Sequence, residues 1–388
     1  MDEMDRADVV IIGGGIIGFS IGYHLLQRSP GLSVLLLERE ITPGQGATGK
    51  ATGGLRYQFS TAVNIKLSQL SMPTYLRFEE EFGEDIGLIQ NGYLFVTAQE
   101  PTRQTFAENV ALQRSLGVPA ELLTQADLAR ILPAMKTDDL IGGSVCWEDG
   151  SADPYSALTG FWKGMRRLGG QVDFGREVTG FEITAGRITA VQTNRGPIVC
   201  GQVVNAAGPW AAQVGEMAGV AVPMQPYKRS VFVAKPLPEF SQVIPLTVDM
   251  DTGFYIHREN RSGQLMLGGT DKVSEPGFST ATDFGGLERV LMAGLERFPA
   301  MERAEVFRSY AGLREITPDF HAIIDRAPGL ENCFMACGFS GHGFMHAPAA
   351  GLLVAELMLD GAARSLDMAP LSLDRFQTGK GHQELASF

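Results

Sequence analysis

Apolar positions along this chain fall into short unbroken runs and longer amphipathic stretches, and glycines mark many of the boundaries. Asp8-Val9-Val10-Ile11-Ile12 is β-branched and uninterrupted, which predicts a short strand buried on both faces. Gly13-Gly14-Gly15 ends it, and a helix is predicted from Ile16 to Arg28, stopped by Ser29-Pro30-Gly31. Val34-Leu35-Leu36-Leu37 predicts a second buried strand. Strand, helix and strand within about thirty residues make a parallel βαβ unit.

A Gly/Thr-rich loop runs from Thr42 to Gly54, with Lys50 as its one charge. Helices are expected over 64–82 and 101–116, with a strand over 90–97 between them. Asp153-Pro154 is a cap followed by a first-turn proline, so a helix starts there and ends at Gly169-Gly170. Phe181 to Val199 alternates short strands with turns at Ala185-Gly186 and Asn194-Arg195-Gly196, an antiparallel meander. Val203-Val204-Asn205-Ala206 is again strand-like and enters Ala207-Gly208-Pro209-Trp210 and a helix. Residues 227–269 read as strand-rich and 284–298 as helical. Cys333-Phe334-Met335-Ala336 is a last strand, entering the glycine-rich turn Gly338 to Gly343 and a helix to Asp360. Three segments thus share one design of buried strand, small-residue turn and helix. They are expected to build one parallel sheet, with the intervening stretches forming a second, mainly antiparallel domain.

Length and charge narrow the function classes. The chain has 388 residues, 44% hydrophobic and 20% charged, which supports a large core and about two to three domains. Lys+Arg is 32 against Asp+Glu 44, a net charge of −12, and no run of Lys or Arg occurs, so nucleic acid is a poor partner. No apolar run reaches the roughly 20 residues of a membrane span. The acidic amino end lacks the basic region and cleavage site of a signal peptide, and four cysteines do not make a disulfide framework. A reducing cytoplasm is the expected location.

The candidate chemistry starts at Gly13-x-Gly15-x-x-Gly18, directly after a strand and opening a helix. The first glycine permits the tight turn, the second lets backbone approach a pyrophosphate, and the third lets helix and strand pack closely. The helix amino end offers free N–H groups and a positive dipole to phosphate. Glu38 closes the second strand about 20 residues past Gly18, where a carboxylate can accept both ribose hydroxyls. This motif leaves NAD and FAD both open. Two features favour FAD: the small-residue loop Gly46 to Gly54, and the second glycine-rich strand–helix turn at Gly338 to Met345. The amino end of that second helix can face a flavin pyrimidine and stabilise reduced flavin.

Five motifs then carry a resemblance. They are Val10 to Gly18, the loop ending Gly53-Gly54-Leu55-Arg56, Val203 to Trp210, Tyr310-Ala311-Gly312-Leu313-Arg314, and Gly338 to Phe344. In this order the chain resembles the D-amino-acid oxidase superfamily of flavoproteins, nearest the sarcosine oxidase β-subunit and glycine oxidase branch. The resemblance covers almost the whole chain. It implies an α/β plus antiparallel-β architecture: a discontinuous Rossmann-like FAD-binding domain (1–85, 150–222, 305–388) and a substrate domain on an antiparallel sheet (86–149, 223–304).

By match to family motifs, Glu38 binds the adenosine ribose, Ala47 and Thr48 lie by the pyrophosphate, and Val178 touches the adenine through its backbone. Gly341, His342, Gly343, Phe344 and Met345 contact the flavin. The cofactor set further includes Gly13, Gly15, Ile16, Ile17, Gly18, Arg39, Gly53 and Gly54. Ala206, Ala207, Gly208, Trp210 and Gly338 complete it. The implied reaction is oxidation of an amino acid, secondary ones first, or of an N-substituted glycine. A hydride passes to flavin N5 and the imine product hydrolyses.

The substrate carboxylate needs a fixed cation, and the planar fork of Arg suits it. Arg314 matches the carboxylate-binding position of glycine oxidase-like members and is the first candidate. Arg56 matches the position used by sarcosine oxidase-like members and is the second. Tyr255, in Gly253-Phe254-Tyr255-Ile256, matches a substrate-facing Tyr. Hydride transfer needs a neutral amine, a dry pocket and alignment rather than a protein base, so His342 is expected to contact flavin or serve structurally. Gly312 stands where monomeric sarcosine oxidases carry a flavin-linking cysteine, and no His occurs from Trp147 to Arg167, so FAD is expected to be non-covalent and covalent FMN absent. Met266 and Met345 replace two lysines of that branch, one assisting oxygen and one pairing the carboxylate. An acceptor other than oxygen is therefore open, and the carboxylate role moves toward Arg314.

Other readings fare worse. Gly338-Phe339-Ser340-Gly341-His342 lacks the last glycine of a nucleophile elbow, and His342 and His346, like Cys333 and Cys337, are spaced i,i+4 without an H-E-x-x-H or C-x-x-C motif, so a hydrolase and a metal site are not expected. A catalytically silent FAD-binding scaffold in a hetero-oligomer is the alternative. A partner such as an α-subunit or an electron acceptor fits either reading. Sarcosine, dimethylglycine, proline, glycine and opines all fit a carboxylate anchored beside a flavin.

Overall fold

A computed structural model describes residues 5–269, 275–379 and 383–386. The first βαβ unit forms as the pattern predicts: β1 (Arg6–Ile12), α1 (Ile16–Arg28) and β2 (Val34–Glu38). β1 lies parallel to β2 on one side and to Ile198–Asn205 on the other; the latter is parallel in turn to Cys333–Cys337. The three strand–turn–helix segments therefore do share one sheet. Its path runs Ile323–Arg326, Cys333–Cys337, Ile198–Asn205, β1, β2, Gln171–Phe174. The antiparallel pair Val178–Thr184 and Arg187–Thr193 joins at Ile198–Asn205, which is the meander read from the sequence.

Both faces of this sheet are covered, which is why its strands are apolar at successive positions. Val9, Ile11 and Leu36 pack with α1 and with Gly343–Leu359, while Val10, Ile12, Leu35 and Leu37 pack toward Ala211–Met217. α1 and Gly343–Leu359 approach closely because Gly351 has no side chain. A Cβ there would meet Ser20 Oγ at 2.3 Å. Ser20 Oγ instead donates to the Ala347 carbonyl at 2.8 Å. This contact sets the two helices side by side.

The second sheet runs Val306–Ile316, Gln225–Ala234, Leu265–Gly268, Tyr255–Arg258, Leu246–Asp249, Tyr93–Thr97, Gly142–Cys146, Glu121–Leu123. All its pairs are antiparallel except Leu246–Asp249 with Tyr93–Thr97. Alternation sorts its side chains. Leu94, Val96, Val145, Phe232, Ile256, Leu265 and Leu267 form one core, and Tyr93, Phe95, Leu246, Val248 and Tyr255 cluster on the opposite face. That second face looks toward the carboxyl ends of the first sheet.

Some elements differ from the sequence reading. The helix expected over 64–82 divides into Ala62–Leu76 and Phe78–Phe82 at Arg77 (φ −111°, ψ 19°). Gln171–Phe174 and the helix Gln125–Ile131 carried too short an apolar pattern to be seen. Residues 306–316, within a segment the resemblance assigns to the FAD-binding domain, pair with Gln225–Ala234 along the second sheet. The strand delivers Arg314 to the first sheet only at its end. Among the described residues no helix is long and apolar enough to cross a membrane.

Candidate functional site

The carboxyl ends of β1, β2 and Ile198–Asn205 meet the second sheet along one long cleft. The first turn shapes its floor. Gly13 has φ +116°, and a Cβ on it would fall 2.4 Å from the Ala206 carbonyl oxygen. Gly18 borders helix and strand rather than the cleft, because a Cβ there would meet the Gly13 oxygen at 2.1 Å. α1 begins at Gly15 with no side-chain cap. Its Ile16 N–H donates to Thr48 Oγ1 at 3.2 Å, from the small-residue loop. The rest of the first turn faces the cleft, a ready anion site.

Glu38 holds the far end of this floor. Its carboxylate accepts from Gly14 N–H at 2.7 Å and from Glu40 N–H at 2.9 Å. Burial pushes its pKa up, and the two backbone donors oppose that. Gly14, left unassigned in the sequence reading, is required here. A Cβ on it would lie 2.8 Å from Glu38 Oε2. Arg39 and Trp210 wall the same end, with Arg39 Cζ 3.8 Å over the indole. Phe278 stacks on Trp210 at 5.7 Å. Ala47, Gly53, Gly54, Val178, Ala206, Ala207 and Gly208 also border the cleft, as does Ile17.

The second glycine-rich turn closes the other end. Gly338, Ser340 and Gly341 have φ of +67°, +53° and +92°. Ser340, a non-glycine in that region, is held by Thr317: its Oγ accepts from Thr317 N–H at 3.2 Å. Gly338 lies behind the turn, where a Cβ would meet Thr317 Cγ2 at 2.6 Å, and does not line the cleft. The helix Gly343–Leu359 starts at His342 with no side-chain cap. Two helix amino ends whose N-cap residues, Gly15 and His342, give no side-chain bond therefore open on one cleft, from Gly15–Ile17 and from Gly343–Met345. An extended dinucleotide needs a phosphate cradle, a ribose acceptor and a donor-rich end for its redox ring, and these residues fit FAD.

The four candidate substrate residues, Arg314, Arg56, Tyr255 and His342, all border the cleft. Arg314 leans on Gly341: a Cβ there would come within 2.9 Å of Arg314 Nε. Tyr255 lies over Gly268, where a Cβ would come within 2.3 Å of its ring; burial pushes its phenol pKa up. Arg56 is fully buried and braced. It donates to the Ala386 carbonyl at 2.7 Å, to the Gln58 carbonyl, and contacts His342 Nε2 at 3.4 Å. Its guanidinium also lies 4.0 Å from the Phe59 ring centre. His342 is held neutral by burial, with Arg56, His346 and Arg314 adding to the effect.

Several cleft residues escaped the sequence reading. Tyr93 and Arg229 line it from the second sheet, and Lys50 from the loop. Glu315 also borders it, its pKa pushed up to about 7 by burial. Only strand pairing brings Arg229 here, opposite Gly312. Met345 borders the cleft. Met266 lies on Leu265–Gly268, paired with Val233 and His257.

Comparison with known proteins agrees with this geometry. Residues 8–357 match the DAO family, described as FAD dependent oxidoreductase. FAD-dependent oxidoreductase domain-containing protein 1 of Xenopus laevis is 33% identical over 96% of this chain and 83% of its own length. Sarcosine oxidase subunit beta of Rhizobium meliloti is 30% identical over 97% of this chain and 90% of its own. Among solved structures, L-proline dehydrogenase from P. horikoshii superposes with a TM-score of 0.91 at 31% identity, covering 98% of this chain and 100% of that one. Glycine oxidase from Geobacillus kaustophilus superposes with a TM-score of 0.85 at 26% identity, over 95% and 99%.

Proposed function

This chain belongs to the DAO family of FAD-dependent oxidoreductases, and from that premise we propose that it oxidises a secondary amino acid or N-substituted glycine held by Arg314. It is an FAD-dependent enzyme of the amino-acid-oxidising group. The observation that carries the finer reading is the placement of Arg314 against Gly341, at the mouth of the second helix.

FAD, when bound, supplies the acceptor for the hydride that leaves the carbon next to the amine. The chain does the rest. Arg314 pairs with the substrate carboxylate through its planar fork. The Tyr255 and Tyr93 rings, with their phenols kept neutral by burial, exclude water and fix the substrate's orientation. Arg56 acts as a brace for His342 and the Ala386 carbonyl, a positioning residue rather than a carboxylate ligand. His342 stays neutral and contributes a wall, not a proton. The helix amino end at Gly343 favours negative charge on the reduced cofactor.

FAD is held without a covalent bond in this reading. Gly312 offers no thiol, and Cys146, Cys200, Cys333 and Cys337 are buried away from the cleft. A hetero-oligomer with a further subunit forms part of the proposal, on the likeness to a sarcosine oxidase subunit.

Anaerobic mixing with a panel of amino acids tests the reading. The yellow protein is expected to bleach with at least one secondary amino acid. Arg314→Ala should raise KM for that substrate by roughly 10- to 100-fold, the loss of a charge-assisted bidentate pair, with FAD still bound. Unchanged KM removes Arg314 from the role. No bleaching across the panel favours the silent scaffold.

A further inference from the structure

Residues 383–386 dock behind Arg56 and carry a buried carboxylate, Glu384. One of its oxygens accepts from Ser60 N–H at 2.8 Å, from Ser60 Oγ at 2.5 Å and from Ala386 N–H at 2.9 Å. The other accepts from Thr61 Oγ1 at 2.7 Å and from Asn64 Nδ2 at 3.0 Å, around the start of the helix Ala62–Leu76. The Ala386 carbonyl in turn accepts from Arg56 Nη2 at 2.7 Å, and Arg56 contacts His342 Nε2 at 3.4 Å. Arg56 and His342 border the cleft, and Glu384 stands behind them. Burial alone would raise the Glu384 pKa, but the donors from Ser60, Thr61 and Asn64 hold it below the usual carboxylate value, so it is ionised.

We propose that Glu384 is a positioning residue that decides which arginine takes the substrate carboxylate: it holds Arg56 as a brace and leaves Arg314 as the anchor. This rests on the placement of that carboxylate at Arg314. Two effects combine. The oxygen that accepts from Ser60 also holds Ala386, so the acceptor of Arg56 Nη2 is fixed in place. The second effect is charge. A buried cation is costly unless opposite charge lies near it. Burial disfavours the charge on Arg56 and Arg314 adds to that, while Tyr93, Glu384 and Asp149 oppose it. Asp149 is itself pushed up to about 7 by burial, so of these two carboxylates Glu384 is the one fully charged at neutral pH. An arginine balanced in this way gains little from a further anion. Without the Glu384 charge, the Arg56 guanidinium at the cleft wall gains from pairing with a carboxylate there.

The test reads a gain of binding, which damage to the fold does not produce. Acetate is the probe, and its dissociation constant is read from the visible flavin spectrum of the holoenzyme. Arg314→Gln is expected to weaken acetate by roughly tenfold or more. Adding Glu384→Gln, which keeps the shape and removes the charge, should tighten acetate again by roughly fivefold or more, now through Arg56. Adding Glu384→Asp instead, which keeps the charge, should tighten it by less than about twofold. A further Arg56→Gln should abolish the recovery. FAD retention after gel filtration and thermal melting report folding. In folded, FAD-loaded protein, no recovery with Glu384→Gln, equal recovery with Glu384→Asp, or recovery that survives Arg56→Gln each overturns the inference. Should Glu384→Gln fail to fold, Asn64→Ala in the Arg314→Gln background removes one donor to the carboxylate. It should tighten acetate by about twofold or more, and no recovery overturns the inference. Acetate binding that depends on Arg314 but never recovers refutes only this inference. Acetate binding indifferent to Arg314 in the otherwise wild-type protein refutes the reading of the site itself.

Discussion

Gly268 is the position where one methyl group separates packing from reactivity. A Cβ at this residue would lie 2.3 Å from Tyr255 Cζ and 2.4 Å from Cε1 and Oη. Carbon atoms in contact prefer about 3.5–4.0 Å. The ring must therefore retreat by more than about 1 Å or the two strands must part. Overpacking of this kind costs about 1–3 kcal/mol of stability. Misplacing a substrate-facing group by about 1 Å can cost on the order of 100-fold in rate. Gly268→Ala is thus expected to fold, to retain FAD at the first turn some distance away, and to lose about two orders of magnitude in kcat/KM. Tyr255→Phe, which keeps the ring and removes the hydroxyl, should lose less. The assay is anaerobic single-turnover bleaching beside flavin content and thermal melting. A Gly268→Ala protein with wild-type kcat/KM would refute the placement of Tyr255 at the reacting end.

Two further outcomes concern carboxylates, one in the cleft wall and one away from it. Glu38→Ala removes the acceptor that Gly14 holds, along with one or two charge-assisted hydrogen bonds worth about 1.5–3 kcal/mol each. FAD should dissociate at least tenfold more readily on dialysis, and full occupancy would exclude the ribose contact. The Asp319–Arg375 pair should govern acid stability. Burial alone would raise Asp319, but hydrogen bonds from His321 and Arg375, the latter at 2.7 and 3.1 Å, hold it well below the usual carboxylate range. Its stabilisation is present above the unfolded value of 3.8 and is lost as pH falls below that toward the lower folded value. Arg375→Ala raises the folded value, so acid unfolding followed by tryptophan fluorescence should move to higher pH. An unmoved midpoint would remove the pair from that role.

The cofactor half of the site was legible because its determinants are local. Gly13, Gly15 and Glu38 lie within one βαβ unit, and backbone conformation, helix polarity and strand ends are short-range consequences of residue type. The same holds for Gly341 to Met345, where a turn feeds a helix. Gly14 was missed although it stands inside the motif, because its constraint is the Glu38 carboxylate across the turn. Arg56 lines the cleft, but its partners Ala386 and His342 lie about 300 residues away in sequence and no local pattern could show them.

Apolar run lengths and glycine spacing by themselves determined a doubly covered parallel sheet and the two turns that cradle a dinucleotide, since each depends on neighbours within a few turns of chain. Tertiary structure alone decided which cations share a face. Arg229 and Arg314 come from two distant strands and share a face through the register of their pairing, in which a slip of one residue would put them on opposite faces, while Lys50 reaches Gly312 from the loop.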